Sequence, residues 1–224
     1  MLARWPSRST NGIHGQREPV HSLTTRAHPP EVNIIEPDLL LAAYAAGYFP
    51  MANSRLGDIR WYSPDPRAII PLDRFKVSRS LRQVLRKRLF EIRENTAFEA
   101  VIRNCANRSE TWISEEIVRS YLQLHRLGYA HSIEAWCEGA LVGGLYGVTL
   151  GGAFFGESMF SRKRDASKAA LVHLVERLRH KRFALLDTQF ITPHLARFGA
   201  VEISREDYLD ILNRAMTKHV AFCP

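Results

Sequence analysis

The chain has 224 residues, 46% of them hydrophobic, and a formal net charge of +8. That is enough apolar side chain for a sizeable core, and no run approaches the roughly 20 apolar residues that a membrane-spanning helix needs. The basic balance points to a polyanionic partner, although solvated surface charge alone gives the same sum.

Residues 1–30 are rich in Arg, Ser, Thr, His and Pro and show no periodicity. They lack the apolar stretch of a signal peptide, and a transit peptide shares their composition. Too little apolar side chain is available to offset ordering, so they read as a flexible extension. Residues 31–65 then read as a small N-terminal domain and 66–224 as the main domain. Cys105, Cys137 and Cys223 are far apart, without metal-ligand spacing. They read as reduced thiols of a cytoplasmic protein.

The first folding signal is Glu36-Pro37-Asp38 before LLLAAYAAG. Proline is tolerated in a first helical turn, and Gly47 can end the helix. Residues 52–60 read as a loop. In WYSPDPRAIIPLD, Trp61 to Asp73, the prolines exclude regular helix. Tyr44, Tyr48, Phe49, Trp61 and Tyr62 fall close together, either as a small core under loops or as a stacking surface for a nucleobase.

Ser78 can cap a helix running to Leu89, with Leu81, Leu85 and Leu89 on its buried side. Arg79, Arg82 and Arg86 share its other face, beside Lys87. A charge run of this kind is either a solvated face or a phosphate contact, and the near absence of acids fits the latter. Phe90–Asn95 reads as a strand. A short helix follows at AFEAVIRNCA, then a helix capped by Ser114 and closed before Gly128.

From Ala130 to Ser161, apolar residues alternate and are broken at Glu138-Gly139 and Leu150-Gly151-Gly152, which predicts three antiparallel strands with tight turns. A helix from about Ala166 to Lys181, a strand ending in Asp187-x-Gln189, a short helix from Thr192, a strand at AVEIS and a last helix capped by Ser204 complete the chain. The order is that of mixed α/β layers, an α+β fold, and not of a doubly wound parallel sheet.

The element order resembles the general N-acyltransferase (GNAT) architecture, in which the acyl donor lies in a splay between central strands. Residue strings give a closer likeness. FPM (49–51), WYSPDPRAIIPL (61–72), TWISEEI (111–117), LHRLGYAHSIEAW (124–136), LVGGLYGV (141–148), FFGESMFS (154–161), ASKAAL (166–171) and LDTQ (186–189) resemble the leucyl/phenylalanyl-tRNA–protein transferase family. The likeness implies transfer of leucine, phenylalanine or methionine from aminoacyl-tRNA to the α-amino group of proteins beginning with Arg or Lys. That transfer marks them for degradation under the bacterial N-end rule, without cofactor or metal. It also implies that Asp187 and Gln189 serve catalysis and that the tRNA's terminal adenosine meets Tyr44, Met51, Trp61 and Trp112. Some relatives carry Trp where this chain has Met51. A monomer without membrane association is expected.

The chemistry is aminolysis of an ester that is already reactive, so positioning and modest base help suffice. The i, i+2 spacing puts Asp187 and Gln189 on one face of their strand. Gln189 cannot act as a base but can orient the amine. Asp187 alone could instead satisfy local backbone amides, and Asp187→Ala is expected to fold normally. Glu157, in an otherwise apolar strand, must be functional or paired with an arginine. In the first case it holds the acceptor's N-terminal cation. Leu145, Phe155, Met159 and Leu186 are candidates for the pocket of the transferred side chain, or are ordinary core. Arg79, Arg82, Arg86 and Lys87 are candidates for the tRNA backbone. His131-Ser132 has no third triad member in sight.

Two other classes remain open. An acetyl-CoA-dependent N-acetyltransferase would be expected to carry a glycine-rich turn after the Glu157 strand, where this chain has SRKRDASK. A non-catalytic RNA-binding module would leave Glu157, Asp187 and Gln189 without a purpose.

Overall fold

The computed structural model describes residues 33–55 and 57–223. The expected extension at residues 1–30 lies outside them. The elements are α1 (Pro37–Ala45), β1 (Phe49–Ala52), β2 (Ile59–Tyr62), β3 (Arg67–Ile69), α2 (Arg79–Arg86), β4 (Glu91–Glu94), α3 (Phe98–Ala106), α4 (Glu115–Arg126), β5 (Ala130–Cys137), β6 (Ala140–Leu150), β7 (Ala153–Ser161), α5 (Ala166–His180), β8 (Leu185–Gln189), α6 (Pro193–Ala196), β9 (Val201–Ile203) and α7 (Arg205–Met216). From α2 onward this is the order expected.

Seven strands form one sheet in the order β4-β5-β6-β7-β8-β3-β9. All neighbours are antiparallel except β7 and β8. The β5–β6 turn has Glu138 and Gly139 both at positive φ, +53° and +76°. Two such residues twist a two-residue turn in the sense of the strands it joins. Ser78, Ser114, Thr192 and Ser204 cap their helices by accepting from Leu81, Ile117, Leu195 and Asp207 backbone N–H groups. Each satisfies one of the donors that a helix start leaves free.

Side chains alternate across the sheet, so both faces are cored. Tyr146, Phe155 and Leu185 belong to a cluster with α1, α3, α4 and α7. Leu145, Phe154 and Leu186, one residue away in each case, belong to the cluster with α2 and α5. A mixed α+β architecture with this layering agrees with the sequence reading.

Two local expectations are corrected, for residues 52–60 and for the helix after Ser78, and one further strand is found. Residues 52–60 are not all loop, because β1 and β2 pair as a hairpin, Phe49 opposite Tyr62 and Ala52 opposite Ile59. The stretch from Trp61 contains β3, paired between β8 and β9. Its prolines flank the strand, where no ladder donor is needed. The helix after Ser78 ends at Arg86, and Leu89 is 50% exposed, so the buried side is carried by Leu81. Arg88 just beyond takes a left-handed φ of +50°, which stops the helix short.

Candidate active site

β7 and β8 pair only through Ala153–Leu185, Phe154–Leu186 and Phe155–Asp187. Beyond that the strands part, and the gap opens into a cavity of about 450 Å³. Leu145, Met159, Leu186 and α5 residues Leu171 and Leu174 line one side, with Phe49, Met51, Trp112 and Phe190 also on its wall. Glu157, Thr188 and Gln189 stand where the strands separate.

A β-bulge aims Glu157. Tyr146 lies opposite Ser158 and Gly147 opposite Gly156, so Glu157 is the extra residue. A bulge turns one side chain out of the regular alternation. Gly147 makes it feasible, because a Cβ there would run into the Phe155 carbonyl and the Phe154 ring. The carboxylate accepts from Tyr44 Oη at 2.7 Å, from Tyr121 Oη at 3.4 Å and from Gln189 Nε2 at 3.4 Å. The two tyrosine hydroxyls also bond each other. Burial raises the Glu157 pKa to about 8, the Tyr44 bond opposes this, and the charge of Asp187 adds to it. No arginine pairs with Glu157 among the described residues, so the ion-pair alternative is not realised.

Asp187 lies behind the cavity. Its side chain is inaccessible to solvent and is gripped by Arg67, Nε to Oδ1 at 3.0 Å and Nη2 to Oδ2 at 2.6 Å. Tyr208 Oη donates to Oδ2 at 2.9 Å, and the Gln189 backbone N–H donates to Oδ1 at 2.9 Å. Arg67 in turn donates to the Gly47 carbonyl and sits over the Phe49 and Tyr208 rings. Asp187 therefore fixes the Gln189 backbone, which takes a left-handed φ of +57°. Of the pair, only Gln189 reaches the cavity. The expectation that Asp187→Ala folds normally is corrected. Removing the carboxylate would leave Arg67 buried and unpaired, which is costly.

Leu145, Met159 and Leu186 do line the cavity, but Phe155 does not. It is fully buried against Tyr44, ring centroids 4.8 Å apart, on the opposite face of β7. Met51 and Trp112 are on the wall. Tyr44 is fully buried and bonded to Glu157, so it offers no stacking face, a correction of the expected nucleobase contact. Trp61 is 38% exposed on β2 and does not line the cavity. Arg79, Arg82, Arg86 and Lys87 are exposed on α2 and do not line it either. His131 is buried, its pKa lowered to about 4 chiefly by burial, and it packs beside Phe222 away from this site.

Several residues were missed in the sequence. Arg67 had a signal, a lone arginine before the apolar AII of β3. Arg108, Tyr121, Tyr146 and His194 had none, because only the fold brings them here. Tyr146 Oη and His194 Nε2 are buried without a hydrogen-bond partner among the described residues, and both residues line the cavity. Buried polar atoms without partners are rare, and two at one cavity suit a polar ligand.

A strand pair that opens on an apolar cavity, with a carboxylate and an amide at the fork, suits an enzyme that transfers an acyl group to an amine. Sequence comparison narrows it. Residues 69–213 match the leucyl/phenylalanyl-tRNA protein transferase family, and residues 33–65 match the N-terminal domain of that family. A leucyl/phenylalanyl-tRNA–protein transferase of Gloeobacter violaceus is 58% identical over 182 residues, covering 81% of this chain and 94% of its own. Those of Paramagnetospirillum magneticum and Chlorobaculum parvum are 58% and 53% identical, covering 83% and 84% of this chain and 91% and 100% of their own. The structure of L-PGS from Bacillus licheniformis is 11% identical, covering 79% of this chain and 69% of its own, with a TM-score of 0.44, too distant to carry an argument. The chain belongs to the leucyl/phenylalanyl-tRNA protein transferase family, and it is an aminoacyltransferase.

Proposed function

We propose that this protein moves leucine, phenylalanine or methionine from aminoacyl-tRNA to the α-amino group of proteins that begin with Arg or Lys. The product then begins with a bulky apolar residue and is marked for degradation. The observation that carries this reading is the position of Glu157 and Gln189 at the mouth of an apolar cavity in the strand splay. The side of the cavity formed by Leu145, Met159, Leu171, Leu174 and Leu186 suits a branched, thioether or aromatic side chain and would reject a polar one by desolvation.

In this reading the transferred side chain lies against Leu145, Met159 and Leu186, and Trp112 and Met51 meet the terminal adenosine. Glu157 takes the cation of the acceptor's first residue. The Gln189 amide orients the α-amine, and Asp187 acts as a positioning residue through the Gln189 backbone. The neutral amine attacks the ester carbonyl carbon. The tetrahedral oxyanion collapses, the bond to the ribose oxygen breaks, and that oxygen gains the proton the amine loses. An α-amine with a pKa near 8 is partly neutral at pH 7, so little base help is needed.

We further read residues 31–65 as a small N-terminal domain supplying Phe49 and Met51, and residues 66–224 as the acyltransferase domain. Arg79, Arg82, Arg86 and Lys87 would meet the tRNA backbone. The protein would act as a monomer in the cytoplasm, where its charged tRNA is made. No helix among the described residues is long and apolar enough to cross a membrane.

The test is transfer of labelled leucine from leucyl-tRNA to a peptide starting with Arg, against the same peptide starting with Ala. Label on the Arg peptide alone is expected. Equal labelling of both would remove the acceptor rule, and no label with either leucyl- or phenylalanyl-tRNA would remove the activity.

A further inference from the structure

The cavity does not end at Arg108. That residue also borders a second hollow, shared with Asn104, Asn107, Arg162, Ser167 and His194. Arg162, Asn104 and Asn107 in turn border a third, which reaches Arg55. Shared lining residues thus link the three hollows in succession from the fork of β7 and β8, and together they are read as one groove. None of the α2 arginines lines it.

Four guanidiniums, Arg55, Arg103, Arg108 and Arg162, and two carboxylates, Glu115 and the cavity's Glu157, line the groove. Arg55, Arg108 and Arg162 are exposed, and none forms a salt bridge among the described residues. Arg103, in the third hollow, does, to Glu99 and Glu115, which leaves Arg55, Arg108 and Arg162 as the unpaired charges of the groove among the described residues. The three are held instead by neutral acceptors. Arg108 donates to the Met159 carbonyl and to Ser158 Oγ. Arg55 donates to the Ala106 and Arg108 carbonyls at 3.2 and 3.1 Å. Arg162 donates to Asn104 Oδ1. Each is thus oriented while its charge stays uncompensated, an arrangement suited to phosphate oxygens. His194, whose buried Nε2 has no hydrogen-bond partner among the described residues, lines both the cavity and the second hollow.

We propose that this groove is a phosphate track for the single-stranded 3′ end of the RNA donor, separate from the basic face of α2. Arg108 takes the phosphate nearest the reacting ester, Arg162 the next, and Arg55 lies further out. The proposal rests on the reading that the donor is an aminoacyl-tRNA. The acceptor polypeptide is a poor occupant, because its N-terminal Arg or Lys and its ammonium would be repelled by uncompensated guanidiniums.

The test is binding, not turnover. An acceptor-stem hairpin with a short unpaired 3′ tail is compared with the same hairpin lacking the tail, by fluorescence anisotropy across a salt series. The tail tightens binding to the wild type. In Arg108→Gln with Arg162→Gln, about tenfold of that gain is lost, and the salt slope for the tailed hairpin falls by about 1.4, at ~0.7 per phosphate contact. The paired lysine substitutions keep most of the slope, which separates charge loss from a folding defect. A tail that adds nothing in the wild type, or a glutamine variant that binds the tail as the wild type does, overturns the track. A wild type that binds the tail but transfers nothing would instead overturn the proposed activity and leave the track in place.

Discussion

Arg67 and Asp187, 120 residues apart, meet through two hydrogen bonds of 3.0 and 2.6 Å with neither side chain accessible to more than 1%. The pair ties β3 to the strand that carries Gln189. Arg67→Met leaves a buried carboxylate unpaired and is expected to cost about 3–5 kcal/mol in denaturant unfolding. Arg67→Met with Asp187→Leu removes both charges and should recover much of that loss. It should not recover transfer, because the Gln189 backbone N–H loses its acceptor. A double variant no more stable than the single would show that the two residues are not coupled.

Glu157 makes stability fall with pH. Its folded pKa is about 8 against an ordinary 4.5. Between those values the native state binds a proton that the unfolded chain has released, so stability declines across that window and is flat above it. The decline is at most about 5 kcal/mol, and Glu157→Gln should abolish it in a pH series of unfolding midpoints. The KM for an Arg-headed peptide should fall as pH rises through about 8 and the carboxylate forms. A profile that the glutamine variant shares would deny Glu157 the acceptor role.

Gly147→Ala tests the bulge. The added methyl would run into the Phe155 carbonyl, a backbone atom, and the Phe154 ring. The expected cost is about 1–3 kcal/mol. The loss of transfer should exceed what that instability explains, because Glu157 moves with its strand. Thermal unfolding and transfer by the folded fraction separate the two effects.

Met159 is half-buried on the cavity wall beside Leu145. Met159→Ala enlarges the pocket and should shift preference toward phenylalanine over leucine by about tenfold in kcat/KM. An unchanged ratio would mean that the side chain being transferred lies elsewhere.

Trp112 and Trp61 give opposite expectations. Trp112→Ala removes a cavity-wall ring and should raise the KM for aminoacyl-tRNA about tenfold, the scale of one stacked base. Trp61→Ala, on β2 and away from the cavity, should leave it nearly unchanged. Equal effects would argue that stacking is not what either ring does.

Much of the fold was legible. Helix starts at Ser78, Ser114, Thr192 and Ser204 were readable because a capping hydroxyl acts on N–H groups two or three residues away. The β5–β6–β7 meander was readable because its turns need glycine at positive φ. The β1–β2 hairpin was not, because its strands are only four residues each, and β3 was not, because it lies between prolines and pairs with the distant β8 and β9.

The sequence by itself determined the element order from α2 onward, the apolar character of the pocket, the family and the candidacy of Glu157, Asp187 and Gln189. These follow from local periodicity, from turn chemistry and from unusual residue strings. Only the tertiary structure decided which candidates share a cavity. It moved Tyr44 and Phe155 into the core and Asp187 behind Gln189, and it joined Arg67, Arg108 and Tyr121 to the site. A strand has two faces, and a bulge or an early end to pairing changes which face a residue presents. Those features depend on the neighbouring strand, and no spacing within one segment encodes them.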